Sequence, residues 1–129
     1  MTYLLDTNVF LWLRMSPDRV RPAVRERLAE ARTSLTLSAA SCWEIAFKQA
    51  NGGLPLPGPA RTWLPQALDE LHCDVLSLGF DHAIEAALLP LHHRDPFDRF
   101  LIAQARVEGL TLVTSDKALS RYEVEILRA

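Results

Sequence analysis

The sequence predicts an α/β fold, a three-layer sandwich in which helices cover both faces of a central parallel sheet of four or five strands. Three observations carry this expectation. Short runs of wholly apolar residues recur along the chain, as strands buried on both faces require. Segments with apolar residues at helical spacing separate them. Glycine and proline cluster at several of the joints. With 129 residues and a mass of 14.5 kDa, residues 1–129 are expected to form one domain, long enough to enclose a core.

Taken in order, "TYLLD" (2–6) is a short apolar strand closing on Asp6. "NVFLWLRM" (8–15) has helix-like apolar spacing up to Pro17. "PDRVRPAVRERLAEAR" (17–32) reads as a charged helix with Val24, Leu28 and Ala31 along one stripe. "SLTLS" (34–38) is a second strand, and "AASCWEIAFKQA" (39–50) a helix halted by Asn51, Gly52 and Gly53. "NGGLPLPGP" (51–59) holds three of the five glycines and three of the eight prolines, and must be a loop. A helix over 60–72 leads to strand "DVLSL" (74–78) and helix "DHAIEAALL" (81–89). After the polar stretch "HHRDPFDRF" (92–100), a helix runs to Glu108. "GLTLVTSD" (109–116) is a glycine break and a strand, "KALSRY" a short helix, and "VEIL" (124–127) a last strand.

The apolar fraction of 49% and charged fraction of 23% are those of an ordinary globular protein. No apolar run approaches the roughly 20 residues that span a bilayer, so no membrane association is expected. "MTYLLD" carries no secretory signal features, and Cys42 and Cys73 form no CxxC pair. Both point to a cytoplasmic, reducing setting with two buried thiols. The formal net charge of −2 does not advertise a nucleic-acid binder, although twelve of the fourteen basic residues are arginine. Arginine's planar fork suits phosphate, but a GC-rich coding sequence enriches arginine as well.

In parallel sheets ligands bind beyond the carboxyl ends of the strands. Four acids fall there: Asp6, Glu44, Asp98 and Asp116. Each has a purely structural reading. Asp6 or Asn8 could cap the first helix, Glu44 could pair with Lys48 at i,i+4, and Asp116 could cap the helix after it. In "DPFD", Asp95 suits the N-cap, Pro96 the first helical position and Asp98 the third. Taken together, the four point elsewhere. Two carboxylates about 5 Å apart repel by roughly 3 kcal/mol at an effective dielectric near 20. Four at one sheet edge must protonate, splay or bind a cation. Hard oxygen donors without clustered cysteine or histidine point to Mg²⁺ or Mn²⁺ rather than zinc. Setting the four acids aside takes the formal −2 to +2, compatible with contact to a phosphate backbone.

In "HHRDPFDRF", Asp98 is expected to face the metal and Asp95 to start the helix. His92 and His93 are adjacent and cannot both point one way, and whether either touches the site is open. Arg94, Arg99 and Lys48 are candidate phosphate contacts.

"LLDTNVFLW", "SCWEIAFK", "HHRDPFDRFLIAQA" and "LVTSD" resemble, in order and spacing, the PIN-domain ribonucleases, most of all the VapC-type toxins of bacterial toxin–antitoxin pairs. The resemblance runs from residue 2 to about 127. It implies a PIN-like fold and a metal-dependent endoribonuclease, a type II toxin that hydrolyses RNA phosphodiester bonds at one or two Mg²⁺ or Mn²⁺ ions. The implied acidic quartet is Asp6, Glu44, Asp98 and Asp116, with Asn8 and either Thr114 or Ser115 as polar helpers. It also implies a small antitoxin from the neighbouring gene and a homodimer. The helix "NVFLWLRM" is apolar nearly all round, so Phe10, Leu11, Trp12 and Met15 are expected to line the antitoxin groove. A competing reading is a phosphatase or receiver-like domain. "DTNVF" lacks the second aspartate of the first, and Lys117 stands in the wrong order for the second. A non-catalytic PIN-like binding module is the third reading, and the complete set of acids argues against it.

Overall fold

The computed structural model describes residues 1–92 and 95–129; His93 and Arg94 lie outside the described residues. Five strands form one parallel sheet: β1 (Thr2–Leu5), β2 (Ser34–Ser38), β3 (Cys73–Leu76), β4 (Thr111–Thr114) and β5 (Ile126–Arg128), in the order β3-β2-β1-β4-β5. The α/β sandwich read from the sequence is thus present with the larger of the two strand counts. Six α-helices are described: α1 (Thr7–Met15), α2 (Pro22–Leu28), α3 (Ala39–Ala50), α4 (Ala60–Glu70), α5 (Phe80–Leu88) and α6 (Pro96–Glu108). Two 3₁₀ turns, Pro17–Arg19 and Lys117–Arg121, complete the elements.

Alternation along the strands builds two cores. Tyr3 and Leu5 of β1, with Leu35 and Leu37 of β2 and Val113 of β4, face a cluster supplied by α1, α2, α3 and α4. Leu4 and Leu112 face the other way, onto Ala86 and Leu89 and the α6 residues Leu101, Ile102, Ala103 and Ala105. A central strand with apolar side chains on both faces must be covered twice, which is why "TYLL" carries no polar side chain after Thr2.

The charged segment 17–32 departs from the expected single helix. Pro22 has no amide to continue a helix begun at Pro17, so the chain breaks at Val20–Arg21 and restarts as α2. Val24 and Leu28 are buried as the stripe requires, whereas Ala31 lies past the helix end and is exposed. Asparagine and glycine end α3 as expected, and Gly109 takes the left-handed conformation (φ 66°) that closes α6 and releases the chain into β4. The late strands and α5 start or stop one to two residues from their expected limits, and β4 occupies only Thr111–Thr114 of the 109–116 stretch. Both cysteines are free thiols, and burial first, then the Asp74 charge, pushes Cys73 up to about 12. No helix among the described residues is long and apolar enough to cross a membrane.

The expectation for α1 fails in part. Phe10 and Leu11 are buried in the first core, in the same apolar cluster as Val20, Val24 and Leu28. They cannot line a groove. Trp12 and Met15 are half-buried, and the Arg19 guanidinium lies over the Trp12 ring at 5.0 Å. Phe10, which meets Trp63 edge-on at 6.5 Å, is therefore a packing residue. Phe10→Ala is expected to destabilise the fold by about 3–5 kcal/mol, read as a lowered midpoint in urea. A loss under 1 kcal/mol would mean that this face is not packed as described.

Candidate active site

The chain winds outward from β1 to β2 and β3, then crosses to β4 on the other side of β1. A crevice opens beyond the carboxyl ends of two strands where the winding reverses in this way. Asp6 directly follows β1, and Asp116 comes two residues after β4. Strand order alone carries both acids to that crevice.

Asp6 holds the N-cap position of α1, but its side chain makes no capping hydrogen bond. Its Oδ2 instead accepts the Thr114 hydroxyl at 2.7 Å. Thr114 Oγ1 accepts in turn from the Asp116 amide at 3.1 Å. One buried hydroxyl therefore links the ends of β1 and β4, while Ser115 is exposed. That geometry distinguishes the two hydroxyls left open by the sequence. The Asp116 carboxylate accepts the Ala118 amide at 2.9 Å, capping the turn after it. Burial raises the Asp6 carboxyl above its ordinary range. The Thr114 hydroxyl and Thr7 backbone oppose the rise, and the charges of Glu44 and Asp116 add to it.

Glu44 reaches the same region through α3. Ser38 caps that helix by accepting the Ala40 amide at 3.1 Å. Thr7 donates to Ser41 Oγ at 2.8 Å in a buried contact that pins α3 to α1. Thr7 and Ser41 were not singled out from the sequence. Their signal is a hydroxyl immediately after Asp6 and another one helical turn before Glu44. The Glu44 carboxylate, 18% exposed, pairs with Lys48 Nζ at 2.9 Å. The structural reading of that pair is thus realised alongside the acidic grouping, and Lys48 is engaged by the acid rather than standing apart as a phosphate contact.

Asp95 caps α6 by accepting the Phe97 amide at 2.9 Å, with Pro96 at the first helical position. Asp98 follows in the first turn, half-buried. The Phe97 ring stacks on Trp43, centroids 5.4 Å apart, which brings this turn against the part of α3 that bears Glu44. Asn8 is exposed in the first turn of α1. The expectation for Arg99 is overturned. It is 9% exposed, and its guanidinium donates to the carbonyls of Ala86 at 2.7 Å, Leu89 at 2.9 Å and Pro90 at 3.0 Å. A cation that closes off the carboxyl end of α5 is a structural cap and offers nothing to a phosphate. The His92 ring lies edge-on to Tyr122 at 5.1 Å, while the expectations for His93 and Arg94 fall outside the described residues.

The donor set suits a hard divalent cation. Asp6 is half-buried, has two acidic neighbours, and receives no salt bridge among the described residues. As the side chains stand, however, no three His, Cys, Asp or Glu groups among the described residues are placed to hold an ion, and Glu44 is turned to Lys48. The chemistry of the donors fits, while their side chains as placed do not converge on one ion.

The family profile for the PIN domain matches residues 3–125. Among curated proteins, the chain is 31% identical to ribonuclease VapC22 of Mycobacterium tuberculosis over 122 residues, covering 94% of this chain and 92% of that protein. Among solved structures it resembles VapBC2 from Rickettsia felis bound to a promoter DNA fragment (TM-score 0.74, 15% identity, 99% of this chain and 98% of that one). It also resembles DNA-bound VapBC from Salmonella typhimurium (TM-score 0.72, 20% identity, 99% and 98%). At those identities the structures speak for the fold.

The raised Asp6 carboxyl has a measurable consequence. The unfolded chain ionises this group near 3.8, whereas the native state holds the proton to higher pH. Native protein therefore binds more protons across that window, and its stability falls as pH rises through it. In chelating buffer at pH 7, Asp6→Asn should be more stable than the parent protein, and the gap should close as pH drops below the ordinary carboxylate range. Paired denaturation curves at several pH values check this; a less stable Asn variant at neutral pH contradicts it.

Proposed function

This chain belongs to the PIN-domain family, and from that premise we infer a metal-dependent endoribonuclease acting as the toxin of a type II toxin–antitoxin pair. One observation carries the reading: a half-buried aspartate, Asp6, close enough to the acids Glu44 and Asp116 to feel their charge, at the reversal point of a parallel sheet. A relative matched over nearly the whole chain is named a ribonuclease, and RNA is the substrate assigned to this one. Family membership removes the phosphatase and receiver-like alternatives.

Asp6, Glu44, Asp98 and Asp116 would hold Mg²⁺ or Mn²⁺, as one or two ions. The metal, when bound, supplies the activation of water and the charge neutralisation that phosphodiester hydrolysis demands. The protein's part is positional. Thr114 holds the Asp6 carboxylate by its Oδ2. The Thr7–Ser41 contact ties α3, which bears Glu44, to the start of α1 beside Asp6. Asn8, at the start of α1, is assigned a supporting role toward the attacking water or the phosphate. Lys48, paired with Glu44 in this structure, would become available to a phosphate were Glu44 to hold the metal. With the four acids neutralised the remaining formal charge is +2, so the surface no longer repels a polyanion.

The protein should therefore cleave single-stranded or looped RNA only when Mg²⁺ or Mn²⁺ is supplied, and Asp6→Ala or Asp116→Ala should abolish cleavage. Gel assays on purified protein check this. Equal cleavage by Asp6→Ala and its parent would assign the activity elsewhere. Asp98→Asn should weaken the stabilisation that millimolar Mn²⁺ gives in thermal melts.

The same proposal includes a cytoplasmic setting, a small antitoxin as partner, and a homodimer. With Phe10 and Leu11 buried, Trp12 and Met15 are the residues expected from the sequence that α1 still has to offer the antitoxin. For a second copy of the chain, the first candidate contact is on α5, where Phe80, Ile84 and Leu88 recur every four residues and are all exposed. Leu88→Glu should shift the mass measured by light scattering from dimer to monomer; an unchanged mass would move the contact elsewhere.

A further inference from the structure

Two stripes run side by side on α3. Glu44 and Lys48, four residues apart, form a charged one; Trp43 and Phe47, also four apart, form an aromatic one. The Trp43 and Phe47 rings stack at 4.6 Å with 15° between their planes. Trp43 also stacks on Phe97 of α6 at 5.4 Å and 19°. The result is a ladder of three nearly parallel rings that bridges the two helices. Trp43 and Phe47 remain 53% and 51% exposed, a large aromatic area to leave in water. Every ring is followed in sequence by a charged residue of the site: Glu44, Lys48 and Asp98.

We propose that this ladder is a stacking platform for an unpaired nucleobase of the substrate RNA, with Lys48 meeting the adjoining phosphate. The inference rests on the ribonuclease reading above and adds how the strand is gripped. A base is itself a flat ring and extends such a ladder at the same spacing. Because every base presents a π-face, the grip tolerates sequence. Charge favours the same occupant. A protein packed on the ladder would desolvate the neighbouring Glu44–Lys48 pair, a cost that a phosphate, drawing on the lysine, does not impose. Position favours it too. Trp43 and Glu44 are consecutive, so a phosphate held at the acids leaves its flanking base beside the rings.

The test measures binding of labelled oligoadenylate by fluorescence anisotropy with Mg²⁺ present, using phosphorothioate linkages so that the acids are neutralised and the strand resists cutting. A second probe of equal length carries abasic sites in place of bases. Phe47→Ala is expected to weaken oligoadenylate binding about tenfold, within the range seen when a stacking side chain is removed. Phe47→Trp should bind as the parent does, and the parent should hold the abasic strand as weakly as Phe47→Ala holds oligoadenylate. If the alanine variant fails to fold, Phe47→Leu removes the ring while keeping most of the volume, and the abasic probe needs no variant at all. Unchanged affinity for either the variant or the abasic strand overturns the proposal. So does a Phe47→Ala protein that binds RNA normally but loses its dimer or its antitoxin, since the ladder is then a protein interface. A parent protein that neither binds nor cuts RNA sinks the ribonuclease reading as well. One that cuts RNA but ignores both changes sinks only the platform.

Discussion

The hydrogen bond from Thr114 to Asp6 joins the ends of two strands that diverge in connectivity and meet only at the sheet's reversal. β1 sends the chain one way and β4 receives it from the other, so the gap between their carboxyl ends is where no crossover helix can sit. Into that gap the fold directs a carboxylate that burial disfavours in its charged form. A short donor on one side and a cation on the other are the two ways to stabilise the charge. The protein supplies the first from its own chain, through Thr114. The placement of α1, of α3 through Thr7 and Ser41, and of the turn after β4 all follow from keeping that carboxylate where it is.

Structural and chemical roles coincide in these acids instead of competing. Asp116 caps the turn that follows it, and Glu44 makes an ion pair with Lys48. A surface pair of this kind contributes little, a fraction of a kcal/mol, so exchanging the lysine for a metal costs little. The capping bond uses Asp116 Oδ1. Acids that stand together at the crevice thus also serve the fold as it stands.

Much of this was legible in the sequence because it depends on local rules. Apolar strands, the asparagine–glycine stop after α3, the Asp95–Pro96 helix start and the position of Asp6 and Asp116 at strand ends are all short-range signals. What escaped depends on partners far along the chain. Arg99 reads as a surface cation until α5 places three carbonyls around it. The apolar excess of α1 suggests a free face until a cluster assembled from distant segments, Trp63 and Val20 among them, takes in Phe10 and Leu11. Thr7 and Ser41 are ordinary hydroxyls until two helices bring them within 2.8 Å. The break before Pro22 is the exception, a local rule outvoted by the charge pattern around it.

Asp6 and Thr114 lie 108 residues apart, and both β4 and Asp116 belong to the last fifth of the chain. A protein made from its amino end therefore has β1, α1 and α3 in hand long before the strand that completes the crevice. Contacts of such long range are also slow to close, since much chain entropy must be surrendered before they form. Until β4 docks, Asp6 has neither the Thr114 hydroxyl nor the Asp116 carboxylate beside it, so the crevice is completed in one step, when two segments separated by 108 residues meet.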